Sequence, residues 1–421
     1  MRFEKVGKKS GAHSLYTPII VGAVFVLSLF LMSFSSPVED WTDLEDKLEP
    51  IPLLTEEDVL KADPLRNQAW DLFHPSWKSS SVWETIQASG QTVRATRDPF
   101  EEAYTNLEYF MDDPSHRLEP EFKISPTLRS RVSFWLQVFG RFTSQTKIIH
   151  DRYHPEVIYG YIDFRPHFRS TSSAATASYR SDRTEREVLK GLKTRMREAA
   201  GLTNTQLLTD FERERLKEML LKVGGLDEKG INKALRNVRT QTGQKDHFLS
   251  GIGRSQELLP KIEAIFKEKG LPIGLTRIPF VESSFNPNAY SRIGAIGLWQ
   301  FIRRTAQQMI HEDSPEKWRD PVAQSRAAAR MLKLNRNILP DWGLAITAYN
   351  SGVGRVRRLI QKYGVDSVDS MELISTKEDF GFAGRNFFAE VLAVNLLESY
   401  KDILFERELR LVEPYVVYNK N

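Results

Sequence analysis

The chain has 421 residues and no cysteine, so no disulfide stabilises any part of it and no cysteine-linked lipid can attach it to a membrane. Hydrophobic residues make up 41% of the sequence, which is enough for more than one compact unit. The formal net charge of +4 is too small to indicate a nucleic-acid partner.

The first segment carries a membrane signal. Basic residues at positions 2, 5, 8 and 9 precede an uncharged run over 10–38, whose apolar centre covers 19–34. Positive charge stays on the cytoplasmic side, so the remainder is expected to be exported. The apolar centre lies on the border between the core of a cleaved signal peptide and the ~20 residues that span a bilayer. We predict an uncleaved anchor over 1–38, because the uncharged run is long and Ser33-Phe-Ser35 is a weak cleavage site.

Two regions of different composition follow. Residues 39–120 combine acidic residues, prolines and a serine run, which predicts an irregular tether. From Thr127 apolar residues recur at helical spacing, and residues 121–250 are expected to form a helical extension. Its further helices are predicted at 185–199, 206–223 and 229–238. Each has a one-sided apolar stripe and therefore needs a partner surface.

The extension also contains two histidines at the spacing of a zinc-protease motif, His150 and His154. Pro155 follows at once, and no glutamate ligand stands at a recognisable spacing. We interpret the pair as core or surface histidines and predict no metal site.

One carboxylate has an unusual setting. Leu275, Ile278, Val281 and Phe285 recur at spacings of three and four, so on a helix Glu282 lies on or beside the apolar stripe. Burial there disfavours the charged form and raises the pKa of the carboxyl, which makes it a candidate general acid near neutral pH. The Asn-Pro pair at 286–287 is expected to end the helix, so that Glu282 lies in its last turn.

The residues around this helix predict a cleft. Pro279 is expected to kink the helix one turn before Glu282. Gly294 and Gly297 then mark a loop that allows close backbone approach to a ligand, and a further helix is expected from about Leu298. Residues 345–356 repeat the pattern of a helix that runs into a glycine turn.

These blocks together resemble a known family. Glu-Ser at 282–283, Ser291, the Gly-Ala-Ile-Gly-Leu-Trp-Gln run that ends at Gln300, and Ala-Tyr-Asn-Ser-Gly-Val-Gly-Arg-Val at 348–356 are similar to the catalytic domain of lytic transglycosylases, in particular the membrane-bound D-type. The resemblance implies an all-α, goose-type-lysozyme-like (SLT) catalytic domain over 251–410. The helical extension and the membrane anchor would precede it, and a tail would follow at 411–421.

The resemblance also implies an activity. Such enzymes cleave the MurNAc-β-1,4-GlcNAc bond of peptidoglycan and leave 1,6-anhydro-MurNAc ends, with one residue, here Glu282, as general acid and then base. No metal or cofactor takes part. Ordinary glycosidases instead use two carboxylates, and Asp320 and Asp341 are better explained as helix N-caps. Two alternatives stay open: a lysozyme-type hydrolase that uses the same glutamate, and a non-catalytic peptidoglycan-binding scaffold.

By position in the family's motifs, the substrate-binding residues are expected to be Ser291, Gln300, Tyr349, Asn350 and Ser283. Ser291 matches a serine that contacts the acetamido group, and Gln300 and Tyr349 match residues that hold the substrate or the acid. One departure is Phe387, which stands where many relatives have a tyrosine.

The expected partners are peptidoglycan glycan strands and, through the N-terminal segment, a membrane. No glycan-binding LysM repeats are expected, and the sequence makes no prediction of the oligomeric state. The expected location is the periplasmic face of the inner membrane, or the periplasm if the first segment is cleaved. The basic residues Arg355, Arg357, Arg358 and Lys362 can attract anionic peptide stems, although a solvated helix face explains them as well.

Overall fold

The computed structural model describes residues 69, 72–75, 107–310, 317–374 and 380–409. The predicted anchor at 1–38 and tail at 411–421 lie outside the described residues, as does most of the predicted tether. Within the described ranges, no helix is both long enough and apolar enough to cross a bilayer.

The described residues contain four strands: β1 (Phe73–His74), β2 (Thr146–Asp151), β3 (Ile158–Asp163) and β4 (Val238–Thr242). The α-helices of the N-terminal part are α1 (Arg129–Leu136, continued by a π-helical turn over Gln137–Arg141), α2 (Arg165–Arg169), α3 (Ala174–Ala199), α4 (Asp210–Val223) and α5 (Glu228–Asn237). Those of the C-terminal part are α6 (Lys245–Glu268), α7 (Ile278–Ser283), α8 (Arg303–Met309), α9 (Pro321–Ile338), α10 (Trp342–Ser351), α11 (Val353–Tyr363), α12 (Val368–Leu373), α13 (Phe382–Ser399), α14 (Lys401–Leu404) and α15 (Glu406–Leu409).

The mainly helical fold is confirmed, but the extension contains a sheet that the sequence analysis did not predict. The strands are antiparallel, in the order β1-β3-β2-β4. Their sequences are rich in β-branched and aromatic residues, as in the Ile-Tyr-Gly-Tyr-Ile run of β3, which suits a pleated and half-buried surface. In β2 and β3, apolar residues on both faces hide the simple alternation by which such strands are usually recognised.

The sheet lies between two hydrophobic cores because successive side chains of a strand point to opposite faces. Ile149 and Ile162 face one core, together with the apolar sides of α3, α4 and α5. Their strand neighbours Ile148 and Tyr161 face the other, which belongs to the C-terminal helical domain. The extension is therefore packed on that domain.

The three predicted helices of the extension are present as α3, α4 and α5, with shifted ends. Helix α4 begins at Asp210, later than predicted, because Thr209 and Glu212 form a capping box there. The Asp227 side chain accepts from the Gly230 N–H and so caps α5. Helix α3 begins at Ala174 because Ser173 caps it, so it takes in residues that the sequence analysis treated as a break.

The two spaced histidines do not share a helix. His150 lies on strand β2, buried against Phe134 and Phe382 at ring-centroid distances of 4.6 and 6.0 Å. His154 lies in the turn that follows. The spacing of a zinc-protease motif has no structural meaning on a strand and a turn.

The C-terminal helical domain is built around α13. Sixteen of its eighteen residues are buried, so it is enclosed nearly all round, as expected for a central helix. Helices α1, α7 and α10 pack against it. Because α7 and α10 deliver Glu282 and Tyr349, α13 forms the floor on which the candidate site is assembled.

Candidate active site

Glu282 lies on α7, a short helix of six residues. Pro279 occupies the first turn, where its missing N–H costs no hydrogen bond. The predicted kink is therefore wrong, since the chain before Pro279 is a 3-10 turn, Ile273–Arg277, rather than an earlier part of the same helix. The helix ends at Ser283, before the Asn-Pro pair, because Ser284 and Phe285 have φ of +50° and +59°. Glu282 lies in the last turn, as predicted.

The Glu282 carboxyl lies at the edge of a cleft of about 350 Å³. The lining comes from α7, the loop after it, and helices α8 to α11. The lining residues are Glu282, Ile293, Ala295, Gln300, Phe301, Ile302, Thr305, Met331, Tyr349, Asn350, Ser351, Gly352, Gly354, Arg355 and Arg358. Among the described residues, no second carboxyl lines this cleft.

The environment of Glu282 favours the protonated form. Only 6% of the residue is exposed. Burial raises the pKa of Glu282 well above its usual value, and the negative charge of Glu390 raises it further. A carboxyl in this state can donate a proton near neutral pH.

The loop after α7 has short contacts that fix its shape. The Ser291 N–H donates to the Ala295 carbonyl at 2.9 Å, and the Ala295 N–H donates to Ser291 Oγ at 2.8 Å. Ser291 is 5% exposed and is not among the residues that line the cleft, whereas Ala295 is. The structure thus gives Ser291 a loop-closing contact close to the cleft.

Gln300 and Tyr349 both line the cleft. Gln300 adopts a φ of +49°, and its Nε2 donates to the Gly297 carbonyl at 2.8 Å. The Tyr349 hydroxyl donates to the Trp299 carbonyl at 2.8 Å. Burial raises the pKa of Tyr349 well above its usual value, and the facing Glu282 raises it further, so the hydroxyl stays a donor.

The other two expected site residues differ from each other. Asn350 lines the cleft, and its Oδ1 is buried with no hydrogen-bond partner. Ser283 faces away from the cleft lining: its Oγ donates to the Leu298 carbonyl at 2.8 Å and accepts the Asn286 N–H at 3.1 Å. Ser283 therefore ties the end of α7 to the loop.

The predicted helix from about Leu298 begins later. Residues around Ile296 instead form isolated bridges to Tyr290 and Phe301, and α8 begins at Arg303. Gly297 adopts a φ of +72° and lies so close to the side chain of Gln324 that no Cβ fits. The positive φ expected at Gly297 is present, and the group that approaches it closely is the side chain of Gln324.

Gln324 was missed by the sequence analysis. It is fully buried on α9, accepts the Trp299 N–H at 3.0 Å and donates to the Ile296 carbonyl at 3.2 Å. These bonds fix the segment that carries Gln300. A polar residue at a position facing the core is the signal by which the sequence could have revealed it.

The two predicted helix caps are confirmed. Asp320 accepts the Ala323 N–H at the start of α9, and Asp341 accepts the Leu344 N–H at the start of α10. Phe387, which replaces the tyrosine of many relatives, stacks on Tyr349 with a centroid distance of 6.2 Å and an interplanar angle of 10°. It therefore presents an aromatic ring to Tyr349 instead of a hydroxyl.

Two of the four basic residues noted in the sequence line the cleft. Arg355 and Arg358 belong to the lining, and Arg357 and Lys362 do not. Helix α11 therefore presents a cationic edge to the cleft and a solvated face elsewhere.

Comparison with known proteins places this site in a family. Residues 261–369 match the model of the Transglycosylase SLT domain. Membrane-bound lytic murein transglycosylase D of Escherichia coli K12 is 36% identical over 111 residues, which are 26% of this chain and 25% of the relative. The protein of the same name in Escherichia coli O6:H1 (strain CFT073) gives the same values. The chain thus matches about a quarter of the length of these relatives.

Solved structures give a weaker likeness. An inactive mutant of lytic transglycosylase Slt from Pseudomonas aeruginosa is 16% identical with a TM-score of 0.30, over 76% of this chain and 53% of that one. The 70 kDa soluble lytic transglycosylase of Escherichia coli is 15% identical with a TM-score of 0.31, over 82% and 62%. The match to the family model spans Glu282, Ser291, Gln300 and Tyr349, so the segment 261–369 that carries the candidate site is similar to a Transglycosylase SLT domain.

Proposed function

We propose that this protein is a peptidoglycan lytic transglycosylase that cleaves the bond between N-acetylmuramic acid and N-acetylglucosamine. The observation that carries the proposal is a buried Glu282 carboxyl at the edge of a cleft in which the described residues offer no second carboxyl. A reaction that needs one acid, and an attacking hydroxyl that the substrate itself provides, suits this arrangement.

In the proposed reaction, Glu282 donates its proton to the glycosidic oxygen as the bond from that oxygen to C1 of the muramic residue breaks. The acetamido group of the same sugar stabilises the positive charge at C1. The Glu282 carboxylate then accepts the proton of the C6 hydroxyl, and O6 bonds to C1 to close the 1,6-anhydro ring. The proton returns to Glu282, so the residue is ready for another cycle and no water is consumed.

The other cleft residues are proposed to hold the sugar. The unpartnered Asn350 Oδ1 is a buried acceptor that a sugar hydroxyl or amide N–H can satisfy. Gln300 and Tyr349 keep the cleft wall in place through their bonds to the backbone. Ser291 is proposed to contact the acetamido group, because its Oγ is used as an acceptor by Ala295 and still has a proton to donate.

We further propose that the protein acts on glycan strands outside the cytoplasm, at the periplasmic face of the inner membrane. The basic residues and uncharged run of the first 38 positions support this location. So does the relative from Escherichia coli K12, whose name describes it as membrane-bound.

Digestion of purified sacculi by the full chain tests the proposal, with the released muropeptides identified by mass spectrometry. Wild type is expected to release fragments with 1,6-anhydro ends. Fragments with reducible muramic ends would instead establish a hydrolase, and binding without release would establish a scaffold. Glu282→Gln is expected to release none. Glu268→Gln is its matched control, because Glu268 is exposed at the end of α6, with a side chain that is 67% accessible. This variant is expected to digest like wild type.

A further inference from the structure

The helix that packs against α7 carries a second buried carboxyl. Glu390, on the central helix α13, is 5% exposed and is not among the residues that line the cleft. Helix α7, which carries Glu282, packs directly on α13. One turn before Glu390 on α13, Phe387 stacks on Tyr349. Glu390 therefore belongs to the floor of the site and has no direct access to substrate.

A cation of the extension contacts the same helix. The Arg239 guanidinium lies 3.6 Å from the ring centroid of Phe382, in the first turn of α13. Phe382 and Glu390 are eight residues apart, so they lie on one side of α13. Arg239 comes from strand β4, where it pairs with His150. Its Nε is buried and has no hydrogen-bond partner.

Other charged groups surround this line. Burial, together with the charge of Arg152, lowers the pKa of Arg239 to about 10, and Arg385 of α13 donates to the Phe380 carbonyl at 2.9 Å. Helix α1 presents Arg131 to α13, but Arg131 is paired with Glu372 at 2.6 Å and donates to Asn386. On strand β2, burial and the charge of Arg239 lower the pKa of His150 to about 3, so it is neutral. Helix α10 contributes Tyr349, a neutral phenol.

We propose that Glu390 is a positioning residue for Glu282, and that Arg239 of the extension controls the charge on Glu390. This inference rests on the proposed function. It gives the extension a role in the chemistry: the sheet holds a cation against the helix that lies beneath the catalytic acid. Removal of Arg239 changes the acid without touching the cleft.

The charges of Arg239 and Glu390 affect the pKa of Glu282 in a definite direction. Burial raises the pKa of Glu390 to about 8, and the charge of Arg239 opposes this rise. When Glu390 is ionised, its charge makes Glu282 hold its proton more tightly. Arg239 promotes that ionisation. Loss of Arg239 is therefore expected to weaken the hold on the Glu282 proton, and loss of Glu390 to weaken it more.

The test follows the Glu282 carboxyl by carbon-13 NMR titration of the full chain, together with the pH dependence of kcat/KM on glycan strands. Glu390→Gln is expected to lower the midpoint by about one pH unit. The pH above which kcat/KM declines should decrease by a similar amount. Arg239→Gln is expected to shift the Glu282 midpoint in the same direction by a smaller amount. Arg239→Lys keeps the charge, so its midpoint is expected to lie near that of wild type.

The double variant tests the route of the effect. Arg239→Gln is expected to produce no further shift in a Glu390→Gln background, because Arg239 acts through Glu390. Glu398→Gln is the matched control. It removes another buried carboxyl of α13, one that is paired with Arg277 at 2.9 Å and Lys401 at 2.6 Å, and should lower stability without moving the midpoint.

An unchanged midpoint in Glu390→Gln overturns the inference, and an equal Arg239→Gln shift in both backgrounds overturns the part played by Glu390. Should Glu390→Gln not fold, the contrast between Arg239→Gln and Arg239→Lys decides. The NMR titration does not depend on activity. A wild type that forms no anhydro products would therefore contradict the proposed function and still leave this inference testable.

Discussion

The Tyr349 hydroxyl donates a 2.8 Å hydrogen bond to the backbone carbonyl of Trp299, the residue directly before Gln300. The bond joins α10 to the loop after α7, so two motifs about fifty positions apart in the sequence form one wall of the cleft. Glu282 is close enough to Tyr349 to raise its pKa, and Phe387 stacks on the Tyr349 ring. Its role is therefore best tested through the loop that it holds.

Tyr349→Phe is expected to lower kcat/KM on glycan strands and to cost about 1–3 kcal/mol in the free energy of unfolding, because it leaves the buried Trp299 carbonyl without its donor. Denaturant unfolding and steady-state kinetics check this. Tyr179→Phe is the control, since Tyr179 is 65% exposed on α3. Equal stability of Tyr349→Phe and Tyr179→Phe would contradict the importance of the bond.

Ser291→Ala separates a structural role from a substrate contact. Loss of the acceptor for the Ala295 N–H is expected to destabilise the fold by about 1–3 kcal/mol. If Ser291 also contacts the acetamido group, kcat should fall by more than the folded fraction explains. Unfolding curves and kinetics at a temperature where the variant is fully folded distinguish the two. Normal kcat with reduced stability would leave Ser291 with the loop contact alone.

The two buried carboxyls predict how stability depends on pH. The pKa of Glu390 is raised from 4.5 to about 8 in the folded chain, and that of Glu282 is raised as well. Between about pH 4.5 and about pH 8, these carboxyls keep protons in the folded chain that they have released in the unfolded chain. The free energy of unfolding should therefore fall as pH rises through this range.

Glu282→Gln and Glu390→Gln should each make this dependence shallower. Each is expected to stabilise the fold at pH 8 by on the order of 1–3 kcal/mol and to change little at pH 4.5. Denaturant unfolding at the two pH values measures the effect. A variant that stabilises equally at both would show that packing rather than titration is responsible.

The cationic edge of the cleft predicts a preference for anionic substrate. Arg358→Gln is expected to raise KM several-fold for strands that carry peptide stems, and to leave KM for strands without stems nearly unchanged. Arg357→Gln is the matched control, because Arg357 is exposed one position away on α11 and does not line the cleft. Added salt should narrow the difference between the two substrates. Equal KM changes for both substrates would rule out recognition of the stems.

Much of the site was predictable because its signals are local. The burial of Glu282 was predicted from helical spacing and a stop signal that closely follows it, although Leu275 lies in a 3-10 turn and Phe285 lies beyond the end of α7. The position of Gln300 and Tyr349 in the cleft came from motif resemblance, since neither residue is distinctive by itself. Asp320 and Asp341 were recognised as caps because a cap is defined by the few residues that follow it.

Other features of the fold and the site could not be predicted from the sequence, chiefly because they depend on contacts between residues far apart in the chain. Strands β2 and β3 carry apolar residues on both faces, and this follows from their position between two cores. Glu390 resembles any acid in a helical stretch until α7 and β4 are packed around it. Pro279 was misread because the sequence does not show that the preceding residues form a separate 3-10 turn.

The central claim is that Glu282 is protonated near neutral pH because its surroundings are apolar. Infrared difference spectroscopy between wild type and Glu282→Gln at pH 7 measures this directly. The account predicts the carbonyl band of a protonated carboxylic acid in wild type and its loss in the variant. A carboxylate band in its place, with no band from the acid form, would contradict it.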